Sequence, residues 1–564
     1  MSPQNEHEIT SLITDAEDFP DPFEKILDAA TLDAASLLEP ETLADIAALA
    51  ADDPNGVHEL LQKLAALGCD VTPIVKRLRS ESRSSPKGSR DKDILLTIAR
   101  RGYYFHDEDR TPYADLIIDG HRRTMPVRAN SFESFLRGEF FRETEEAPSK
   151  LAVAAAIDTL AAHAEHGGSQ HTVHFRVAEE GGCLYLDIGD NAGSVVAVDQ
   201  SGWSIIRQAP VRFIRHSAMR SLPLPERGGG IGLLRNYINV EHEYDFRLLV
   251  FVMVAALWVG GPYPILVFAG EQGSAKTTAT EFTRALIDPS KSLHQSLPRN
   301  VHDLFITAHR NQVLAFDNVS GLSGEMSDAL CRLSTGGGFA TRKLWTDDEE
   351  QSFNAMRPIV MNGIVNFLTR ADLADRAIVV QLATIAEDKR RSVGELKAAF
   401  EADRPLILGA LLDAISLGMS RLPDIRLPTM PRMADFARKS VACERALFGD
   451  GSFQEAYEKT EIETLDRTLE ADPIASVIID LMKAEPVWQG TASELSNHLA
   501  RHPAAARRSW PDSPQALGNH LSRIIPLLRK AGIEVERGRV GASRERVTRI
   551  WRRDDGTVAN TRKR

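Results

Sequence analysis

The run "ILVFAGEQGSAKTTATEFTRALI", Ile265 to Ile287, constrains this chain more than any other stretch. Its first five residues are all apolar and read as a fully buried strand. A loop with two glycines follows, then a helix-forming stretch from Lys276. A buried strand that passes into a helix this way predicts an α/β layer with a parallel sheet. The loop has the chemistry of a phosphate cradle. Glycines let backbone N–H groups turn inward, a lysine reaches phosphate oxygens, a hydroxyl holds Mg²⁺, and the helix N-terminus favours negative charge. Gly270, Gly273, Lys276 and Thr277 stand in the required order, and Glu271, Gln272, Ser274, Ala275 and Thr278 complete the expected ATP-binding segment. Ala275 replaces the consensus glycine before the lysine. It is expected to fit a helical entry with a slightly altered cradle.

Further pieces follow at suitable distances. "NQVLAFDNVSGLS" reads as an apolar strand ending at Asp317, a second candidate Mg²⁺ ligand beside Thr277. Asn318 stands where hydrolysing phosphate-loop enzymes commonly carry an acid, and it cannot act as a base. Either another group, with Glu325 as a candidate, activates water, or hydrolysis is slow. "STGGGFATRKLWTDDEEQSF" predicts a hairpin whose tip carries Arg342 and Lys343. "MRPIVMNGI" ends a strand at Asn362, placed to sense a terminal phosphate. "FLTRADLADRAIVVQL" sets Arg370 and Arg376 before another strand, as candidate arginine fingers or as salt-bridge partners of the nearby Asp372 and Asp375.

A chain of 564 residues is too long for one core. The expected fold is a multidomain α/β one with seven segments: an acidic helical head (1–75), a basic linker (76–92), an α+β positioning domain (93–243), the phosphate-loop ATPase domain (244–425), a helical connector (426–470), a winged helix (471–555) and a basic tail (556–564). The net charge of −12 conceals a split. Met1–Asp70 holds sixteen acids against two lysines, and Arg501–Arg564 holds sixteen basic residues against six acids. Head and tail therefore call for different partners. The four cysteines, Cys69, Cys183, Cys331 and Cys443, have no metal-ligand spacing and fit a reduced, cytoplasmic setting. The start "MSPQNEHEIT" lacks the basic and apolar regions of a signal peptide. Leu248–Ala269 is long enough to cross a membrane, but "GGPYP" divides it into a buried helix and a strand, so no membrane partner is expected.

In the second segment, Asp119-Gly120, Gly181-Gly182 and Ser201-Gly202 mark hairpins, and "SKLAVAAAIDTLAAHAEHGG" reads as a helix ended by Gly167-Gly168. "ERGGGIGLLRN" lacks a preceding strand and a lysine, and reads as a flexible junction. Asp187 and Asp190 could pair on metals, but a hairpin turn explains Asp190 as well.

The order Gly270–Thr277, "VLAFDN", "TGGGFATRKLWTDDEE", "IVMNG" and the paired arginines resembles superfamily III (AAA+-like) helicases, and more closely the ATPases of phage and plasmid primase-helicase proteins and their relatives in bacterial mobile elements. The resemblance covers about Tyr244 to Leu382 and extends more weakly upstream to about Ala147 and downstream to the tail. It implies ATP and Mg²⁺ as cofactors, a ring of usually six subunits, and single-stranded DNA in the pore at Arg342 and Lys343. By position it makes Asn362 the sensor and Arg370 or Arg376 the finger. A primase site is not evident, so the resemblance implies priming by a separate primase or replication partner, if at all.

The C-terminal segment gives helix, extended piece, helix, then "SPQALGNHLSRIIPLLRKAG" and the strands "IEVERGR" and "RVTRIWR", a winged-helix order. Ser513 is the expected N-cap and Gly532 the stop. Arg523, Arg529 and Lys530 on the helix and Arg537, Arg539, Arg544 and Arg546 on the wing are the expected duplex-DNA contacts. Two other classes remain open here: a small-molecule kinase, which leaves the basic tail unexplained, and a nucleotide-gated DNA-binding or defence scaffold with little hydrolysis, which Asn318 favours.

Overall fold

The computed structural model describes residues 54–67, 71, 72, 74, 75, 87–337, 339–342, 350–353, 355–363, 368, 370–503, 510–540 and 545–553, with Ile26, Thr42 and Ile46. Most of the acidic head, the first part of the linker, Lys343, Arg544 and the tail lie outside the described residues. The chain divides into one unit of residues 1–116 and 125–171 and a second of 117–124 and 172–564.

In the first unit, helices Asn130–Thr144 and Lys150–Gly167 bury Phe132, Leu136, Phe140, Val153 and Leu160. Strand Tyr103–His106 pairs antiparallel with Pro112–Ile118 and parallel with Ser169–Gln170. The second helix starts where expected, because Ser149 Oγ accepts the Ala152 N–H at 3.2 Å. The linker is shorter than its composition predicts. From Lys87 the chain is already helical, through Ala99. Leu95 and Ile98 anchor that helix, and the buried Asp91 carboxylate accepts the Ser149 N–H at 2.9 Å. Local polarity gives way to these tertiary contacts.

In the second unit, strands Val177–Glu180, Cys183–Asp187, Val195–Asp199 and Gly202–Ile206 form an antiparallel meander. Asp119 (φ 52°) with Gly120 (φ 79°), and Gly181 (φ 61°) with Gly182 (φ 76°), make the expected tight turns with both central residues at positive φ. Asp187 is buried and gripped by Arg215 (Nε–Oδ2 2.8 Å), and Asp190 Oδ1 accepts the Ser194 N–H at 2.9 Å. Both acids are structural.

Next comes a parallel layer built from α1 (Glu243–Ala256), β1 (Ile265–Ala269), α2 (Lys276–Ile287), α3 (Val301–Arg310), β2 (Leu314–Val319), α4 (Gly324–Thr335), β3 (Ile359–Gly363), β4 (Ala377–Gln381) and α5 (Val393–Arg421). All four strands are parallel, in the order β2-β3-β1-β4. Leu248–Ala269 divides into α1 and β1 as its Gly and Pro residues require, and β1 is buried along its whole length. Helix α5 packs Phe400, Ile407, Leu411 and Ile415 into the same core. Among the described residues, Val393–Asp424 is long and apolar enough to cross a membrane, but 56% of its apolar window is buried inside the protein, as in a core helix.

The glycine run before α1 corrects the expectation of a flexible junction. Glu226 N donates to Pro405 O at 3.0 Å. A Cβ on Gly229 would lie 2.4 Å from Leu406 O, and one on Gly409 would lie 1.9 Å from Glu226 O. The glycines allow the strap and α5 to touch backbone to backbone.

The rest of the chain is α6 (Ala434–Leu447), α7 (Ser452–Ala471), α8 (Pro473–Ala484), β5 (Val487–Thr491), α9 (Ala492–Leu499), α10 (Pro514–Lys530), β6 (Ile533–Val540) and β7 (Glu545–Arg552). The strands form an antiparallel sheet, β5-β7-β6, over a core of Ile478, Trp488, Leu521, Leu528 and Ile550. Ser513 Oγ accepts the Ala516 N–H at 3.2 Å to start α10, and Gly532 (φ 77°) follows its end.

Candidate functional site

Three strand ends meet at the carboxyl edge of the parallel sheet. Register aligns Phe268 of β1 with Asn362 of β3, and Phe316 of β2 with Met361 of β3. The loop after β1, Asp317 and Asn362 therefore lie together, where open α/β sheets hold ligands. Thr277 Oγ1 donates to Asp317 Oδ1 at 3.0 Å. Lys276 Nζ lies across its own loop, donating to Gly270 O at 2.9 Å and Glu271 O at 2.8 Å. A Cβ on Gly270 would sit 2.6 Å from Ser274 Oγ and 2.7 Å from Leu382 O, so the loop closes only around glycine there.

Ala275 departs from its expected geometry. It has φ 60° and ψ 35°, left-handed rather than helical, immediately before α2. The consensus glycine at this place has a backbone reason, and alanine carries a cost of roughly 1–2 kcal/mol. Asn318 also has a positive φ, 54°. The pairing of β2 with β3 shifts register between Phe316 and Val319, so Asp317-Asn318 forms an irregularity that re-aims the strand's end. Asparagine is among the few non-glycine residues that enter this region readily. The Asn318 N–H donates to Asn362 Oδ1 at 2.9 Å, and Asn362 Nδ2 donates to Thr280 Oγ1 at 2.9 Å. Asn362 is thus a buried brace between β2, β3 and α2. Glu325 is exposed in the first turn of α4.

His294, absent from the sequence-based set, stands beside Asp317 and links it to Glu281 of α2. His294 Nδ1 lies 3.4 Å from Asp317 Oδ2, and its Nε2 lies 3.3 Å from Glu281 Oε1. Lys397 of α5 reaches the other Glu281 oxygen at 3.1 Å. His294 adjoins β2 because Gln295 bridges to Phe316. One bridge is too short a strand to leave a periodic signal.

The arginine pair lies apart from the loop's own contacts. Arg370 pairs with Asp328 at 2.8 Å. Arg376 pairs with Asp372 at 2.5 Å and also donates to the Asp372 carbonyl at 2.8 Å. Burial works to raise the Asp372 carboxyl, but hydrogen bonds and charge from Arg376 and Arg432 hold it below its ordinary value. Arg432 also reaches Asp375 at 3.2 Å, and Lys530 from the end of α10 reaches the same carboxylate at 2.9 Å.

The expected nucleic-acid residues fall in different settings. Arg342 ends a short strand, Phe339–Arg342, paired antiparallel with Glu350–Phe353 and opposite Glu350. Lys343 and Arg544 lie outside the described residues. Arg529 pairs with Glu534 at 3.2 Å, and Arg537 turns back onto α10, donating to Ser522 Oγ at 2.6 Å. Arg523 is exposed. Arg539 and Arg546 are both exposed and face each other across the β6–β7 ladder. Like charges in that register repel, which is tolerable where an anion can bridge them.

Residues 231–458 match the family model of the actinomycete integrative conjugative element replication protein, and residues 474–560 match that of the AICE RepA C-terminal domain. Over these two stretches the chain is similar to mobile-element replication proteins. No curated protein matches it. Among solved structures, the SCCmec type IV Cch, an active helicase, aligns at 11% identity over 79% of this chain and 92% of that one, with a TM-score of 0.43. The apo C-terminal region of NrS-1 aligns at 11% identity over 81% of this chain and 98% of that one, with a TM-score of 0.36.

Proposed function

We propose that this chain is an ATP-dependent DNA helicase or translocase that acts in the replication of a mobile genetic element. The observation that carries this reading is the meeting of Lys276, Thr277 and Asp317 at one sheet edge, with 3.0 Å between the Thr277 hydroxyl and the Asp317 carboxylate. A hydroxyl and a carboxylate at this distance are a hard-oxygen pair suited to Mg²⁺. Bound Mg²⁺ would supply charge neutralisation on the phosphates. In this reading the loop from Gly270 to Thr278 binds ATP, Lys276 contacts its phosphates, and Asn362 fixes the turn that aims Asp317. Arg370 or Arg376 would act on a neighbouring subunit's nucleotide in a homo-oligomeric ring, with six subunits as the expected number. Single-stranded DNA would run past Arg342 and Lys343. The C-terminal module would serve as a winged helix on duplex DNA, with Arg539 and Arg546 sharing a phosphate. Similarity to replication proteins supports the biological setting, which would be cytoplasmic with any primase a separate partner.

Asn318 favours a second reading, a nucleotide-gated scaffold that binds ATP and DNA with little turnover, because no acid follows Asp317. One experiment separates the two: ATP turnover with and without single-stranded DNA, for the wild type and Lys276→Ala. A motor gives DNA-stimulated turnover that Lys276→Ala abolishes. Nucleotide and DNA binding with no stimulation removes the motor and leaves the scaffold.

A further inference from the structure

The end of α10 is engaged in a contact that has no part in its own module. Lys530 Nζ lies 2.9 Å from Asp375 Oδ1, on the segment between Arg370 and β4. Asp375 shares Arg432 with Asp372, and Asp372 holds Arg376. Three cations and two carboxylates thus form one chain of charges between the C-terminal module and the candidate finger. Glu461 faces the same pair from α7. Burial raises its carboxyl, and Lys530 offsets part of that. Two facts make the arrangement able to change. Lys530 is half exposed on the helix that also presents Arg523 and Arg529. Arg376 Nε is buried without a hydrogen-bond partner among the described residues, so its present setting leaves a donor unsatisfied.

We propose that Asp375 is an internal competitor for duplex DNA: Lys530 binds either this carboxylate or a DNA phosphate, and DNA on the C-terminal module thereby resets the charges around Arg376. The inference rests on the reading of that module as a duplex contact, and needs no assumption about ATP turnover. An ammonium is a compact point charge that cannot serve a carboxylate and a phosphate in separate places. Linkage then requires that loss of the carboxylate strengthens DNA binding, and that DNA loosens the acid segment.

The test is fluorescence anisotropy of a short labelled duplex with the full-length protein, without nucleotide, at low and moderate salt. Asp375→Asn should tighten binding about two- to fivefold, the range an exposed pair is worth. Lys530→Gln should weaken it, and Asp375→Asn should add nothing in the Lys530→Gln background. Asp375→Glu, which keeps the charge, should match the wild type. Wild-type affinity in Asp375→Asn, or a gain that survives Lys530→Gln, overturns the proposal. A second measurement uses the wild-type chain alone: duplex should speed hydrogen exchange at amides 371–376, and unchanged exchange at saturating duplex overturns the proposal even if Asp375→Asn fails to fold. A wild type that binds no duplex overturns the DNA reading of the C-terminal module itself, whereas single-strand-stimulated ATP turnover stands or falls separately.

Discussion

Ala275 shows how one side chain can be out of place in an otherwise consistent loop. Its left-handed backbone is set by the neighbours, since Gly273 (φ 88°) turns the chain before it and α2 begins directly after it. Ala275→Gly should remove the roughly 1–2 kcal/mol of left-handed strain, less about 0.5–1 kcal/mol of added unfolded-state freedom. The expected outcome is a gain of up to about 1.5 kcal/mol, read from denaturant midpoints, with no loss of ATP-analogue affinity. At this scale, what short spacing and strand ends make legible is a convergence: Gly270 to Thr277 and Asp317 are expected together, and they meet at one sheet edge. Glu281, His294 and Thr280 were not legible. The His294–Asp317, His294–Glu281 and Asn362–Thr280 contacts depend on the fold bringing α2 and the 294–295 bridge to the same edge. Asn318 was noticed as a missing acid, whereas its positive φ supplies a backbone reason for the residue.

Elements were legible wherever turn chemistry bounded them. Asp-Gly and Gly-Gly turns sit at positive φ between paired strands, and Ser149 and Ser513 cap the helices that they introduce. Composition misled where packing decided the outcome, at the Lys87 helix start and the glycine strap. The strap yields a sharp contrast between two glycines of α5. Gly409→Ala places a methyl group 1.9 Å from Glu226 O, against main chain that cannot swing aside. It should cost at least about 1–3 kcal/mol, as overpacking does. Gly394→Ala, with nothing within 4 Å, should be neutral or stabilising by up to about 1 kcal/mol. Thermal melts of the two variants against the wild type check the pair. Equal melting temperatures would mean that the strap does not seat on α5 as described.

The whole second unit has a fixed point at Arg176, which is fully buried. Its Nε donates to Asp288 at 3.1 Å, and its terminal nitrogens donate to carbonyls of Asp187, Ile188, Arg220 and Pro289. The antiparallel meander, the segment that follows it and the end of α2 are thus joined through one guanidinium with all its donors in use. Arg176→Met should destabilise the chain by about 3–5 kcal/mol, since Asp288 would stay buried without its cation. A fall in the denaturant midpoint of the full-length protein measures this, and a change under about 1 kcal/mol would contradict it. No local pattern announces such an arginine. In sequence it sits in "HFRVAEE", an ordinary strand entry, 112 positions from its acid. The joint between the glycine strap and α5 is of another kind, because it contains no side chain at its closest point. Substitution cannot tune such a joint by degrees. Homologues that alter the angle there must insert or delete residues, so a change of length in the strap, more than any change of letter, would mark a relative with a differently set core.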